Sequence, residues 1–325
     1  MIDQVLAWGN LRLAWQQVEA NKGAPGVDEV TLKRWGRNRD ANLERLRHQV
    51  RTNTYRPSRP RRFKALKKDG TYRELSILTV TDRVLQRATL NALENVCEKR
   101  FLNCSFGYRP NRSVANAVTA VVRQRERGRR WLLDADIDDC FDSLDHSLII
   151  ELAQQVVSDA VVRGLIAAWL KAGAKRSRIG DRGSLIADRS QIRNPRSKIE
   201  NPKSAVGVPL GAVISPLLCN LVLHELDAAL TRAGWALVRY ADDFVVLTRT
   251  ETEAQAAQED VEAALAGLRL KLNPAKTRLT SFDAGFRFLG VEFQGDTYSY
   301  VHQNKRIAVT GPNTRILYRH QPEFY

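Results

Sequence analysis

No apolar run in this 325-residue chain approaches the length needed to span a bilayer, and the opening MIDQVLAWGN has no basic stretch ahead of an apolar core. Lipidation signals are absent as well. The expectation is a soluble, cytoplasmic protein with no membrane partner. Cysteine is scarce: Cys97, Cys104, Cys140 and Cys219 lie far apart, with no CxxC pair and no His/Cys cluster of the kind zinc requires. They read as reduced packing residues. Acidic side chains are in short supply too. Lys and Arg outnumber Asp and Glu by 51 to 36, a formal charge of +15, and an excess of that size implies a polyanionic partner, either nucleic acid or an anionic membrane surface. The length suits one large domain or two lobes of ordinary size.

Against these absences stands a clear division of the chain. In DQVLAWGNLRLAWQQVEANKG, Val5, Trp8, Leu11, Trp15 and Val18 recur at three and four, which predicts an amphipathic helix ending at Gly23 and a helical N-terminal element over residues 1–50. From Arg51 to Arg87 there are eleven basic residues against three acidic ones, with KKDGT at a hairpin turn. A basic, partly β-structured lobe is expected over 51–130.

From Trp131 the pattern changes. WLLDADI reads as a strand running into acids, and DHSLIIELAQQV as a helix capped by Asp145. SPLLCNLVLHELDAAL is helical by spacing. WALVRY and FVVLTR are two strands joined through Ala241, Asp242 and Asp243, a tight hairpin with acids at its tip. Thr250 and Glu253 form a capping box for a helix whose apolar face is Ala254, Ala257, Val261, Leu265 and Leu268. TRLTSF and FRFLGVEF give further strands. The order predicts an α+β unit over 131–295, an antiparallel sheet backed by helices on one face. Residues 296–325 read as a hairpin and tail. One segment does not fit: Lys171 to Ser204 has ten basic and three acidic residues, no apolar periodicity, and an echo in which NPRSKIE is followed by NPKS. It reads as a low-complexity basic insertion at about 173–204, either a solvated surface loop or an added nucleic-acid contact.

Three acids lie at the ends of predicted core strands: Asp136, Asp242 and Asp243. An uncompensated buried carboxylate costs several kcal/mol, so acids brought together there must be neutralised or face a cation. Hard oxygen ligands suit Mg²⁺ or Mn²⁺, and two such ions about 3.5–4 Å apart can activate a 3′-hydroxyl and stabilise a pyrophosphate leaving group. An isolated Asp-Asp is equally the tip of a solvated turn. The surrounding residues separate the two readings.

YADDF inside an apolar hairpin, preceded by DIDDCFDSLDH and GVPLGAVISPLLCN and followed by LNPAKT and FRFLG, resembles a reverse transcriptase, closer to the group II intron type than to the retroviral type. Across about residues 20 to 295 the chain also holds GAPGVD, YRPSRPRRFKALKKDGTYRELSILTVTDRVLQRA and FLNCSFGYRPNRSVANAV, similar to the N-terminal extension and first two fingers motifs of that group. The resemblance implies a right-hand polymerase with fingers and a ferredoxin-like palm. It places the metal-binding carboxylates on Asp136, Asp242 and Asp243, with the Ile137 backbone carbonyl also facing metal, and two Mg²⁺ ions (or Mn²⁺) as cofactors. Phe141 matches the aromatic under the incoming sugar. Lys67, or its neighbour Lys68, and Arg73 match cations that hold the triphosphate, Lys276 matches a lysine near the pyrophosphate, and Arg109 and Arg112 fall where template contacts are expected. Leu210 and Gly211 belong to the nucleotide-side motif, where Leu210 replaces the usual glutamine and removes a hydrogen-bonding side chain. The implied partners are an RNA template, a DNA or RNA primer and dNTPs. Some thirty residues follow FLG, too few for a three-helix thumb, so the thumb is expected to be absent or rudimentary and its function supplied by a partner such as a CRISPR adaptation or other defence protein. Two functions are implied: an RNA-directed DNA polymerase, or a non-polymerising RNA-binding scaffold of maturase-like or degenerate kind.

Overall fold

The computed structural model describes residues 1–66, 70, 72–174 and 205–320. Lys67, Lys68 and nearly all of the basic insertion lie outside them. Helices α1 (Ile2–Val5), α2 (Trp8–Ala20), α3 (Leu32–Arg37) and α4 (Arg39–Arg51) form the N-terminal layer. The single opening helix expected from the spacing is two. Leu6 and Ala7 interrupt it, and the Asn10 amide donates to the carbonyls of Gln4, Val5 and Ala88, satisfying groups that the end of α1 leaves open. α2 stops at Ala20, with Asn21 as its cap, rather than at Gly23.

Strands β1 (Arg61–Leu66) and β2 (Tyr72–Ile77) make an antiparallel ribbon that, among the described residues, pairs with no other strand. Helix α5 (Val80–Glu98) follows, capped by Thr79, and packs along α2. Helix α6 (Val114–Glu126) opens on a full capping box, in which Ser113 and Asn116 bond each other's backbone N–H. Then come β3 (Trp131–Asp136), the short α7 (Cys140–Ser143), α8 (His146–Val156), α9 (Ala160–Gly173) and α10 (Ser215–Arg232). The hairpin β4 (Ala236–Tyr240) and β5 (Asp243–Thr248), helix α11 (Glu251–Gly267) and β6 (Arg278–Ser281) complete this part. Asp145 caps α8 as expected, its carboxylate accepting from the N–H groups of Ser147 and Leu148. At α11 only half of the expected box forms: Thr250 accepts from Glu253 N–H, while the Glu253 carboxylate reaches Arg249 N–H, one residue before the cap.

The four strands run antiparallel in the order β4-β5-β3-β6, the ferredoxin-like arrangement of a strand-helix-strand-strand-helix-strand chain. Side chains alternate across it. Leu133, Ala135, Leu237, Phe244 and Val246 enter a large core shared with α10 and α11. Leu132, Val238, Val245 and Leu247 enter a second core. Helices on one face only are therefore not what is found. α6 covers the second face together with an antiparallel sheet of β7 (Phe286–Phe288), β8 (Val291–Gln294), β9 (Thr297–His302) and β10 (Lys305–Thr310), whose Phe286, Phe293 and Tyr298 bury there. This sheet runs without a break through the 295/296 boundary expected from the sequence, and α12 (Arg315–His320) follows it. Among the described residues no helix is long and apolar enough to cross a membrane.

Candidate active site

Asp136 ends β3 and Asp243 begins β5, and the register sets them directly opposite each other. Asp242 lies in the two-residue turn between β4 and β5, where Tyr240 pairs with Asp243. The alternation that sends Leu132 and Val245 to the second core carries Asp134, Asp136 and Asp243 to that same face. Four acids gather there, and the fold neutralises two. Arg278 pairs with Asp134 at 3.0 Å, and the Lys276 ammonium lies 2.9 Å from Asp136 Oδ2. Asp242 and Asp243 have no salt-bridge partner among the described residues. Burial, then repulsion from Asp134, Asp136 and Asp242, pushes the Asp243 carboxyl up to about 7. Burial also raises Asp242, with a further contribution from Asp136. The Lys276 ammonium is held above its ordinary range by its hydrogen bond to Asp136.

The donor set is wholly oxygen and deficient in positive charge, which fits a hard divalent cation. Among the described residues, however, no three acidic, imidazole or thiol side chains converge on a common metal position. Asp136 is turned toward Lys276 instead. Ile137 is buried beside these acids and bridges to Leu272 through bonds made by its neighbours, Asp138 N–H to the Lys271 carbonyl and Asn273 N–H to the Asp136 carbonyl.

Around the acids, the Phe141 carbonyl accepts from Val208 N–H at 2.8 Å, joining α7 to the segment that leads into Leu210. The Leu210 carbonyl in turn accepts from Ser76 N–H of β2 at 2.7 Å. Gly211 adopts φ 100 and lies so close to that strand that a Cβ would stand 2.6 Å from the Ser76 carbonyl oxygen. The segment expected to face the nucleotide is thus tied to the β1–β2 ribbon through backbone, whatever side chain stands at position 210. Arg73 is exposed on β2, opposite Ala65. Lys67 lies outside the described residues.

The two arginines expected on the template side have other work. Arg109 is 7% exposed; it pairs with Glu98 at 2.9 Å and donates to the carbonyls of Leu102 and Ser105. A guanidinium held this way staples its own loop and has no free edge for a phosphate. Arg112 is half-buried, bonded to Asn103 at 2.8 Å and stacked 5.4 Å from the Phe106 ring. All four cysteines are unpaired thiols, as expected, with Cys140 and Cys219 in contact at 3.9 Å between sulfurs.

Sequence reasoning passed over Arg239, Asp227 and Asn220, which form a buried polar network under the hairpin. The signal was present. Arg239 shares its parity with Leu237 in an alternating strand, so an inward position is occupied by a charge that must find an inward acid.

Comparison with known proteins supplies the family. The family model described as Reverse transcriptase (RNA-dependent DNA polymerase) matches residues 65–293. Protein YkfC of Escherichia coli (strain K12) is 32% identical over 312 residues, covering 83% of this chain and 76% of that protein. The group II intron-encoded protein LtrA of Lactococcus lactis subsp. cremoris is 32% identical over 218 residues, 66% of this chain but only 32% of LtrA. Telomerase from Candida albicans shares the fold at a TM-score of 0.51 and 12% identity, over 85% of this chain and 50% of that one. The chain belongs to the reverse transcriptase family and is similar to its group II intron-encoded members.

Proposed function

We propose that this protein is an RNA-directed DNA polymerase that extends a DNA or RNA primer on an RNA template from dNTPs, with Asp136, Asp242 and Asp243 as its metal-binding carboxylates. One observation supports this above the others: the hairpin holds two half-buried acids with no salt-bridge partner among the described residues, one of them directly across from a third. No structural role needs such a cluster, and each acid raises the free energy of the others until a cation arrives. Bound at this cluster, two Mg²⁺ or Mn²⁺ ions would activate the primer 3′-hydroxyl and stabilise the departing pyrophosphate.

The chain's own residues supply the remaining parts. The β3–β6 sheet serves as the palm and the β1–β2 ribbon as fingers, where Arg73 and Lys67 hold the triphosphate, one through a bidentate fork and one as a point charge. Phe141 lies under the incoming sugar. Leu210 and Gly211 shape the nucleotide side and fix it to the fingers through Ser76. Lys276 orients Asp136 and keeps an ammonium proton at the edge of the site. Of the basic residues near Arg109, Arg112 keeps enough exposure to meet a template backbone; Arg109 does not. The second reading, a non-polymerising RNA-binding scaffold, is favoured by one observation, that Asp136 faces Lys276 rather than a shared metal position.

Primer extension separates them. Purified protein with Mg²⁺, dNTPs and a primed RNA template is expected to lengthen the primer. Asp242→Asn should lower the rate by about a thousandfold or more while leaving RNA affinity within about twofold. Failure to extend any primed template, with RNA binding intact, selects the scaffold.

A further inference from the structure

Arg239 lies on the sheet face opposite Asp136 and Asp243 and is completely buried. A guanidinium is tolerated in such a place only when its charge and its donors are all met. Here they are. Nε and Nη2 donate to the two oxygens of Asp227 at 2.7 and 2.6 Å, and Nη2 donates also to Ser105 Oγ at 2.8 Å. Nη1 donates to Asn220 Oδ1 at 3.0 Å and to the carbonyl of Ala241 at 2.8 Å.

The last of these bonds reaches the turn that carries Asp242. Ala241 has φ 59, in the left-handed region that a residue with a Cβ enters only under constraint. Its surroundings supply that constraint from two sides. Arg239 holds its carbonyl. Gly107 presses on its amide so closely that a Cβ at Gly107 would stand 2.4 Å from Ala241 N. The Gly107 carbonyl accepts from Asn220 Nδ2 at 2.9 Å, so the same asparagine secures both sides. Arg239 fastens the neighbouring loop through its backbone as well, since its N–H donates to the Cys104 carbonyl and its carbonyl accepts from Phe106 N–H, both at 2.8 Å.

We propose that Arg239 is a positioning residue for the catalytic carboxylates: from behind the sheet it fixes the Ala241–Asp242 turn, and with it the place of Asp242 relative to Asp136. It touches neither substrate nor metal. The proposal rests on the reading of Asp242 as a metal ligand. Lysine at this position keeps a charge for Asp227 but, as a single compact donor group, cannot reach Asp227, Asn220 and Ala241 together.

The test uses the full chain and two readouts that need no turnover: Mn²⁺ affinity by electron paramagnetic resonance, and hydrogen exchange resolved along the chain. In Arg239→Lys the dissociation constant for Mn²⁺ is expected to rise about tenfold, with faster exchange confined to residues 240–243. A merely structural arginine would instead speed exchange throughout the sheet. Asn220→Ala leaves the ion pair with Asp227 in place and removes the second anchor of Nη1, so it is the variant to use if Arg239→Lys does not fold; its Mn²⁺ affinity should fall about threefold. Ser105→Ala, which spares Nη1, should bind Mn²⁺ within about twofold of the parent. Folded Arg239→Lys or Asn220→Ala protein with parental Mn²⁺ affinity and an unchanged turn overturns the proposal. So does a parent chain that binds no Mn²⁺ sensitive to Asp242→Asn. A parent that binds such Mn²⁺ yet extends no primer overturns the polymerase reading alone and leaves the positioning role standing.

Discussion

Asp243 shows most directly what the site costs the fold. Its carboxyl titrates near 7 in the folded protein against 3.8 for the ordinary group, so folding favours the protonated form. The stability it contributes is full below about pH 4 and is lost as pH rises through 7, where a charge appears beside Asp134, Asp136 and Asp242. In EDTA, the urea midpoint of the parent chain is therefore expected to fall over this range more than that of Asp243→Asn. At pH 8 the variant should be the more stable by about 2 kcal/mol. Adding Mg²⁺ should raise the parent and not the variant, and a variant no more stable than its parent at pH 8 would contradict this. The three acids were legible from the sequence because charges at the ends of apolar strands need an explanation. Arg109 was not read correctly for the converse reason: an arginine in a basic loop looks the same in sequence whether it faces solvent or, as here, pairs with Glu98 and three carbonyls of its own loop.

Elements with a local signal were read well. β3, the β4–β5 hairpin, α10, α11 and the Asp145 cap follow from period and capping chemistry alone. α9 was missed because its end runs into the basic segment that dominates the composition beyond Lys171. The second covered face was missed because no local pattern tells a strand which distant sheet will bury it. The contact between β2 and Gly211 belongs to the same class, since it joins segments more than a hundred residues apart. It also gives a test. Gly211→Ala would place a methyl group against the Ser76 carbonyl and force alanine to φ 100, so the chain should lose about 2 to 4 kcal/mol of stability, read from its denaturation midpoint. A loss below about 0.5 kcal/mol would mean that ribbon and loop are not held together there.

Taken whole, the molecule is a polycation of formal charge +15 assembled around two cores, and its affinity for RNA should be mainly electrostatic. If the exposed basic side chains neutralise about six phosphates of a single strand, the logarithm of the association constant should fall against the logarithm of salt concentration with a slope of about −4. Fluorescence anisotropy across a salt series measures it, and a slope near zero would exclude binding through the phosphate backbone. The family was legible from the sequence because its motifs stand in order along the chain, and the matched span of 65–293 falls within the 20–295 expected. The division into 131–295 and 296–325 was less so, because β7–β10 form a single sheet across it. The bridge between Cys104–Phe106 and Arg239 has one more effect. It covers the outer edge of β4 at Arg239 with backbone from a segment made before the sheet begins, so at that point the edge offers no open amide or carbonyl to a strand from another molecule. Lateral recruitment of a neighbour's strand is thereby closed off beside the acids, and the hairpin that carries them is shielded from the edge-to-edge association to which apolar strands are prone.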